Sequence, residues 1–156
     1  MKNKKTMLVT GGSRGIGRAI AIKFAENNYN IVITYSKNKD AAKEVLNEVN
    51  KFNVKSKAIK CDFLDSNAIP NMYNQFNQSF DNLDVLINNA GWTKYIDDHN
   101  LKELSSDLFD QIIEINLKSV YLLIKDGSEL MKGNNNSIIN ISSIAGYNSI
   151  GSNLVY

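Results

Sequence analysis

The sequence predicts an α/β domain, a doubly wound parallel sheet with strand order 3-2-1-4-5. Three observations predict it. Short β-branched runs alternate with longer amphipathic stretches, a glycine-rich turn follows the first run, and no repeat, linker or low-complexity block interrupts the alternation. Right-handed crossovers leave few topologies for a βαβαβαβαβ chain, and this strand order is the commonest of them. At 156 residues, 43% of them hydrophobic, the chain suits one domain spanning residues 1–156.

The first strand is expected at about 6–10, and the turn from Thr10 to Gly17 leads into a helix with an apolar face of Ile16, Ile20 and Phe24. A second strand at about 30–35 precedes a helix faced by Ala42, Val45, Leu46 and Val49. The third, at about 55–61, is followed by a helix from Ser66 to Phe80, with Ser66 as N-cap and Pro70 in the first turn, where a helix tolerates proline. The fourth, at about 83–87, gives way to a long polar loop from Gly91 to Asp107, then to a helix carrying Leu108, Ile112, Ile115, Leu122 and Leu123. The fifth is expected at about 137–142. All are short and mostly apolar, as strands buried on both faces of a parallel sheet are.

The formal charge of +2 arises from 18 basic and 16 acidic residues scattered along the chain, which gives no footprint for nucleic acid or a membrane surface. Met1-Lys2-Asn3-Lys4-Lys5 resembles the start of a signal peptide, but only Met7-Leu8-Val9 follow as an apolar run before Gly11 and Gly12. No apolar stretch nears the roughly 20 residues of a membrane span. A single cysteine, Cys61, forms no internal disulfide, and the lone His99 excludes a Cys/His zinc cluster; a reducing, cytoplasmic setting and metal-free chemistry are expected. Cys61 reads as a small buried residue, and His99, beside Asp97 and Asp98, as a solvated loop residue.

The turn Thr10-Gly11-Gly12-Ser13-Arg14-Gly15-Ile16-Gly17 opens a helix, and its missing side chains allow backbone N–H groups to approach a pyrophosphate. Tight strand-to-helix turns also use glycine for backbone reasons alone. At the end of the second strand, Ile33-Thr34-Tyr35-Ser36-Lys37 carries no acid. A carboxylate there would accept from the ribose 2′-OH of NAD and repel the 2′-phosphate of NADP. Arg14, Lys37 and Ser36 instead suit a phosphate, so NADP(H) is expected over NAD(H); the other reading of the two cations is a solvated surface.

Taken together, these features resemble the short-chain dehydrogenase/reductase family, whose glycine fingerprint is Thr-Gly-x-x-x-Gly-x-Gly. Further family elements follow in order: Cys61-Asp62-Phe63 after the third strand, Asn88-Asn89-Ala90-Gly91 after the fourth, Asn116 within Glu114-Ile115-Asn116-Leu117, and Ser142-Ser143 after the fifth. The resemblance covers essentially the whole chain and extends to reductases of 3-oxoacyl thioesters and related alcohol or sugar dehydrogenases. It implies a Rossmann-type fold lacking the family's last strands. It also implies a cofactor-binding set of Gly11, Ser13, Arg14, Gly15, Ile16, Gly17, Tyr35, Ser36, Lys37, Cys61, Asp62, Asn89, Ala90, Gly91 and Tyr156. Within that set Asp62 would bond the adenine, and Asn89 to Gly91 would line the cleft. Trp92 would either border the substrate or simply pack.

By the same resemblance, Ser143 would bond the oxygen of a small carbonyl or alcohol substrate and Tyr156, thirteen residues on, would exchange a proton with it. Asn116 would complete a proton relay through water. A free tyrosine is a poor base near neutral pH unless a cation stabilises its phenolate, and the family places a lysine four residues later, beyond Tyr156 here. The expectation is therefore an oxidoreductase that is a homodimer or homotetramer when full length. The 156 residues by themselves are expected to form an inactive dinucleotide-binding fragment with an uncovered fifth strand.

Overall fold

The computed structural model describes residues 4–97, 99–148 and 151–156. Its centre is five parallel strands: β1 (Thr6–Val9), β2 (Asn30–Tyr35), β3 (Ser56–Lys60), β4 (Val85–Asn88) and β5 (Ser137–Asn140). They lie in the order β3-β2-β1-β4-β5, the expected one. Register is continuous across the middle: Leu8 sits between Val32 and Leu86, and Val9 between Ile33 and Ile87.

Alternation along these strands explains why both faces bury. Met7, Val9, Ile31, Ile33, Val85 and Ile87 point to one side, where α1 (Gly15–Glu26) and α2 (Lys39–Val49) cover them with Ala21, Ala25, Ala42, Val45 and Val49. Leu8, Val32, Ile59 and Leu86 point to the other, under α3 (Ala68–Asn77) and α5 (Ser119–Ser128), which contribute Ile69, Met72, Phe76 and Leu123. Each such side chain removed from water contributes about 1.5–3 kcal/mol.

Local chemistry sets the helix starts. The Asn38 side chain accepts from Ala41 N–H at 2.9 Å and opens α2, and the Ser105 hydroxyl accepts from Leu108 N–H at 3.2 Å and opens α4 (Ser106–Ile113). Ser66 is not the cap of α3. That helix begins at Ala68 after Asn67, and the preceding turn is held by Asp65, whose carboxylate accepts from Asn67 N–H at 2.9 Å. Pro70 does fall in the first turn, where its missing N–H has no helical partner to lose.

Three expectations need correction. Ile16 is 63% exposed and is no part of the core face of α1, because the helix turns its smallest residues, Gly17, Ala21 and Ala25, toward the sheet. The helix after the polar loop is not uniform: α4 passes into α5 through a π-helical turn, Glu114–Lys118, which inserts extra backbone at Asn116. Finally, β5 is exposed along its length rather than buried on both faces; as expected, no strand pairs with its far edge among the described residues. A short helix, α6 (Ala145–Asn148), follows it.

Candidate functional site

Sheet order reverses between β1 and β4, so the loops leaving these strands diverge and open a cleft at their carboxyl ends. The cleft has a volume of about 620 Å³. Its floor is the glycine turn, one wall is the end of β2 with the turn after β3, and the other is Asn89 to Trp92 with Gln111 and Ile115.

The turn is built for close approach. Gly15 has φ +54, and a Cβ there would meet nothing within 4 Å, so the absent side chain leaves open space in front of the backbone. Gly17 is required for packing, because a Cβ would lie 2.5 Å from the Gly11 carbonyl oxygen and 2.6 Å from the Asn89 amide. No side chain caps α1 at Arg14, so the first-turn N–H groups and the positive end of the helix dipole are left for an anion.

One hydroxyl ties the floor to the wall. Thr10 Oγ1 accepts from the N–H groups of Asn89 and Ala90, both at 3.0 Å, and Asn89 Nδ2 donates back to the Thr10 carbonyl at 2.8 Å. On the opposite side Gly11 N–H donates to Thr34 Oγ1 at 3.2 Å. Thr34 was not in the expected set, although its hydroxyl at the end of a strand beside the turn was visible in the sequence.

The far end of the cleft is lined by Arg14, Tyr35, Ser36, Lys37 and Asp62, with Cys61 in the wall. Neither Arg14 nor Lys37 takes part in an ion pair among the described residues. No carboxylate stands at the end of β2; the acid is Asp62, after β3, where one oxygen accepts from Leu64 N–H at 3.3 Å. Burial, with repulsion from Asp62 and Asp65, pushes the Cys61 thiol up to about 12, so it stays protonated and is no nucleophile. These groups fit a phosphorylated dinucleotide: an uncapped helix start for the pyrophosphate, two cations and a hydroxyl for a further phosphate, and a carboxylate for the base.

The cleft thus gathers every expected cofactor residue except Gly17, which packs beneath it, and Tyr156. The candidate catalytic residues are less close-knit. Asn116, in the π-helical turn, clamps the backbone of Trp92 by donating from Nδ2 to its carbonyl at 2.7 Å and accepting from its N–H at 2.9 Å. Ser143 is exposed and accepts from Ala145 N–H at 3.1 Å. Tyr156 is 40% exposed and is held through its backbone N–H, which donates to Asn153 Oδ1 at 3.1 Å. No hydrogen bond joins Asn116, Ser143 and Tyr156 to one another among the described residues.

Sequence reasoning missed Phe63, Leu64, Gln111 and Ile115 in the cleft lining. Gln111 and Ile115 are one helical turn apart, a spacing that marks a shared face but not what it faces. His99 is exposed, its N–H donating to Asp97 at 2.9 Å, while Asp98 lies outside the described residues. Among the described residues no helix is long and apolar enough to cross a membrane, and no group of three or more His, Cys, Asp or Glu side chains gathers as for a metal.

Comparison with known proteins shows the family. The family model described as short chain dehydrogenase matches residues 5–156. The 3-oxoacyl-acyl-carrier-protein reductase FabG of Staphylococcus aureus is 37% identical over 147 residues, which is 94% of this chain and 58% of that protein. The solved short-chain dehydrogenase/reductase from Serratia marcescens superposes with a TM-score of 0.84 at 33% identity, over 91% of this chain and 56% of its own. An angucycline C-6 ketoreductase, LanV, solved with bound NADP, gives a TM-score of 0.90 at 27% identity, over 97% and 60%. The chain therefore spans a little over half the length of the relatives it matches.

Proposed function

Because this chain belongs to the short chain dehydrogenase family, a family of oxidoreductases working with nicotinamide cofactors, we propose that its protein is an NADP(H)-dependent reductase of small carbonyl compounds, 3-oxoacyl thioesters among them. The observation that carries the cofactor preference is the cleft itself, where Arg14, Ser36 and Lys37 stand where an acid would repel a 2′-phosphate. The substrate class rests on the 37% identical acyl-thioester reductase.

A bound nicotinamide would supply the hydride to the carbonyl carbon. Ser143 donates a hydrogen bond to the substrate oxygen, Tyr156 delivers its phenolic proton to that oxygen, and Asn116 holds the loop that borders them. Acid–base help of this kind is worth on the order of 10²–10⁴-fold. The stripe of exposed Phe109, Leu117 and Tyr121 along α4, the π-helical turn and α5 supports a homodimer or homotetramer, and the single cysteine suits the cytoplasm.

Titration with NADPH and NADH, followed by cofactor fluorescence, tests the reading. NADPH is expected to bind about tenfold or more tightly, and Arg14→Ala with Lys37→Ala to erase the difference. Equal affinities in the unaltered protein would overturn the preference, and no binding of either would overturn the dinucleotide site. Residues 1–156 alone are expected to bind NADPH without turnover, because they do not include the lysine that the family places four residues after the tyrosine to stabilise its phenolate; reduction of a 3-oxoacyl thioester by that fragment at the full-length rate would refute this.

A further inference from the structure

Two loops meet at one side chain: residues 91–97 after β4, whose Gly91 and Trp92 line the cleft, and residues 151–156 beyond α6. Asn153 is 6% exposed. Its Nδ2 donates to Thr93 Oγ1 at 2.9 Å and to the Lys94 carbonyl at 2.7 Å. Its Oδ1 accepts from the N–H groups of Val155 and Tyr156 at 2.9 and 3.1 Å. A primary amide has two N–H donors and two lone pairs, and all four are used.

Two further bonds reinforce the junction. Ile96 N–H donates to the Ser152 carbonyl at 2.7 Å, and the Thr93 and Ser152 hydroxyls share a hydrogen bond at 2.5 Å. Val155 packs with Ile96, Leu108 and Ile112. Burial alone needs only an apolar side chain here, as Val155 shows, whereas four directed bonds fix an orientation.

The acceptor half of Asn153 has the N-cap pattern, bonding the N–H groups two and three residues on, and the second of these belongs to Tyr156. The donor half fixes that cap to residues 93 and 94, whose neighbour Trp92 is clamped by Asn116. A continuous hydrogen-bonded path therefore runs from the π-helical turn to the backbone of Tyr156.

We propose that Asn153 is a positioning residue for the proton transfer assigned to Tyr156, acting by holding the tyrosine backbone against residues 93–94. The inference rests on the reading of Tyr156 as the proton donor. In the full-length protein, Asn153→Ala is expected to lower kcat by roughly 10–100-fold, the cost of displacing a reacting group by about an ångström, with NADPH affinity within about twofold. Asn153→Ser, which keeps an oxygen to cap Tyr156 N–H, is expected to recover most of the loss. If Asn153→Ala fails to fold, Thr93→Val, which removes the hydroxyl that accepts from Asn153 Nδ2 and bonds Ser152, carries the same measurement and is expected to lower kcat more mildly with KM for NADPH unchanged. An unchanged kcat in Asn153→Ala, or in Thr93→Val where Asn153→Ala does not fold, or a parallel fall in NADPH affinity with no recovery in Asn153→Ser, overturns the proposal. Tyr156→Phe separates the two readings. Near-normal turnover in that variant overturns the role of Tyr156 itself, whereas an inactive Tyr156→Phe beside a fully active Asn153→Ala overturns only the positioning role.

Discussion

At the scale of single residues, burial decides which groups are chemical and which are structural. Cys61 stands in the wall of the cleft, yet desolvation and then the charges of Asp62 and Asp65 raise its thiol from 9.0 to about 12. Tyr73 is raised above its ordinary 10.0 by burial first, then by Asp126 and Cys61. Both groups hold their protons more tightly folded than unfolded, so the Cys61 contribution to stability is complete below pH 9 and lost as pH rises through about 9–12, and that of Tyr73 is complete below pH 10 and lost at higher pH. Denaturant midpoints measured across that alkaline range are expected to fall, and to fall less steeply in Cys61→Ala. At neutral pH the native thiol is expected to resist alkylation, reacting only as fast as the protein unfolds.

At the scale of elements, α5 carries a glycine where a helix gains nothing from one. A Cβ at Gly127 would overlap the Tyr73 hydroxyl on α3, which itself donates to the Leu123 carbonyl at 2.6 Å. Close contact between the two helices therefore outweighs the ~1 kcal/mol that alanine would add to helix propensity. Gly127→Ala is expected to destabilise the protein by about 1–3 kcal/mol, and by less in a Tyr73→Phe background, as chemical unfolding of the four variants would show. The elements themselves were largely legible in the sequence. Val, Ile and Leu runs marked the strands, and Thr10 to Gly17 marked the turn that binds the cleft together. The π-helical turn was not legible, because a shift in backbone bonding from four residues to five leaves no mark on composition. Ile16 was legible as a cleft residue from the glycine turn but misplaced by helical spacing, which also put it on the core face. Asn153 escaped notice for a related reason: its partners, Thr93 and Lys94, lie about sixty residues away, and only the fold brings them together.

At the scale of the whole molecule, the two edges of the sheet differ. β3 ends one side with α2 and α3 against it, whereas β5 and the residue after it leave Ile138, Ile139 and Ile141 each about 40% exposed. Residues 1–156 produced alone are expected to associate as concentration rises and to melt below the full-length protein, which sedimentation and thermal unfolding would reveal; a monodisperse, equally stable fragment would contradict this. The cleft divides along a different line. Its half around the glycine turn is framed by strand ends and by the Thr10 hydroxyl, while Trp92 on the other wall leads into a loop that Asn153 stitches to residues 151–156. For anyone grafting a new substrate preference onto this scaffold, residues 93–96 and 151–156 consequently form one cassette. Exchanged together they keep their shared amide; exchanged singly, either loop arrives without the partner that shapes it.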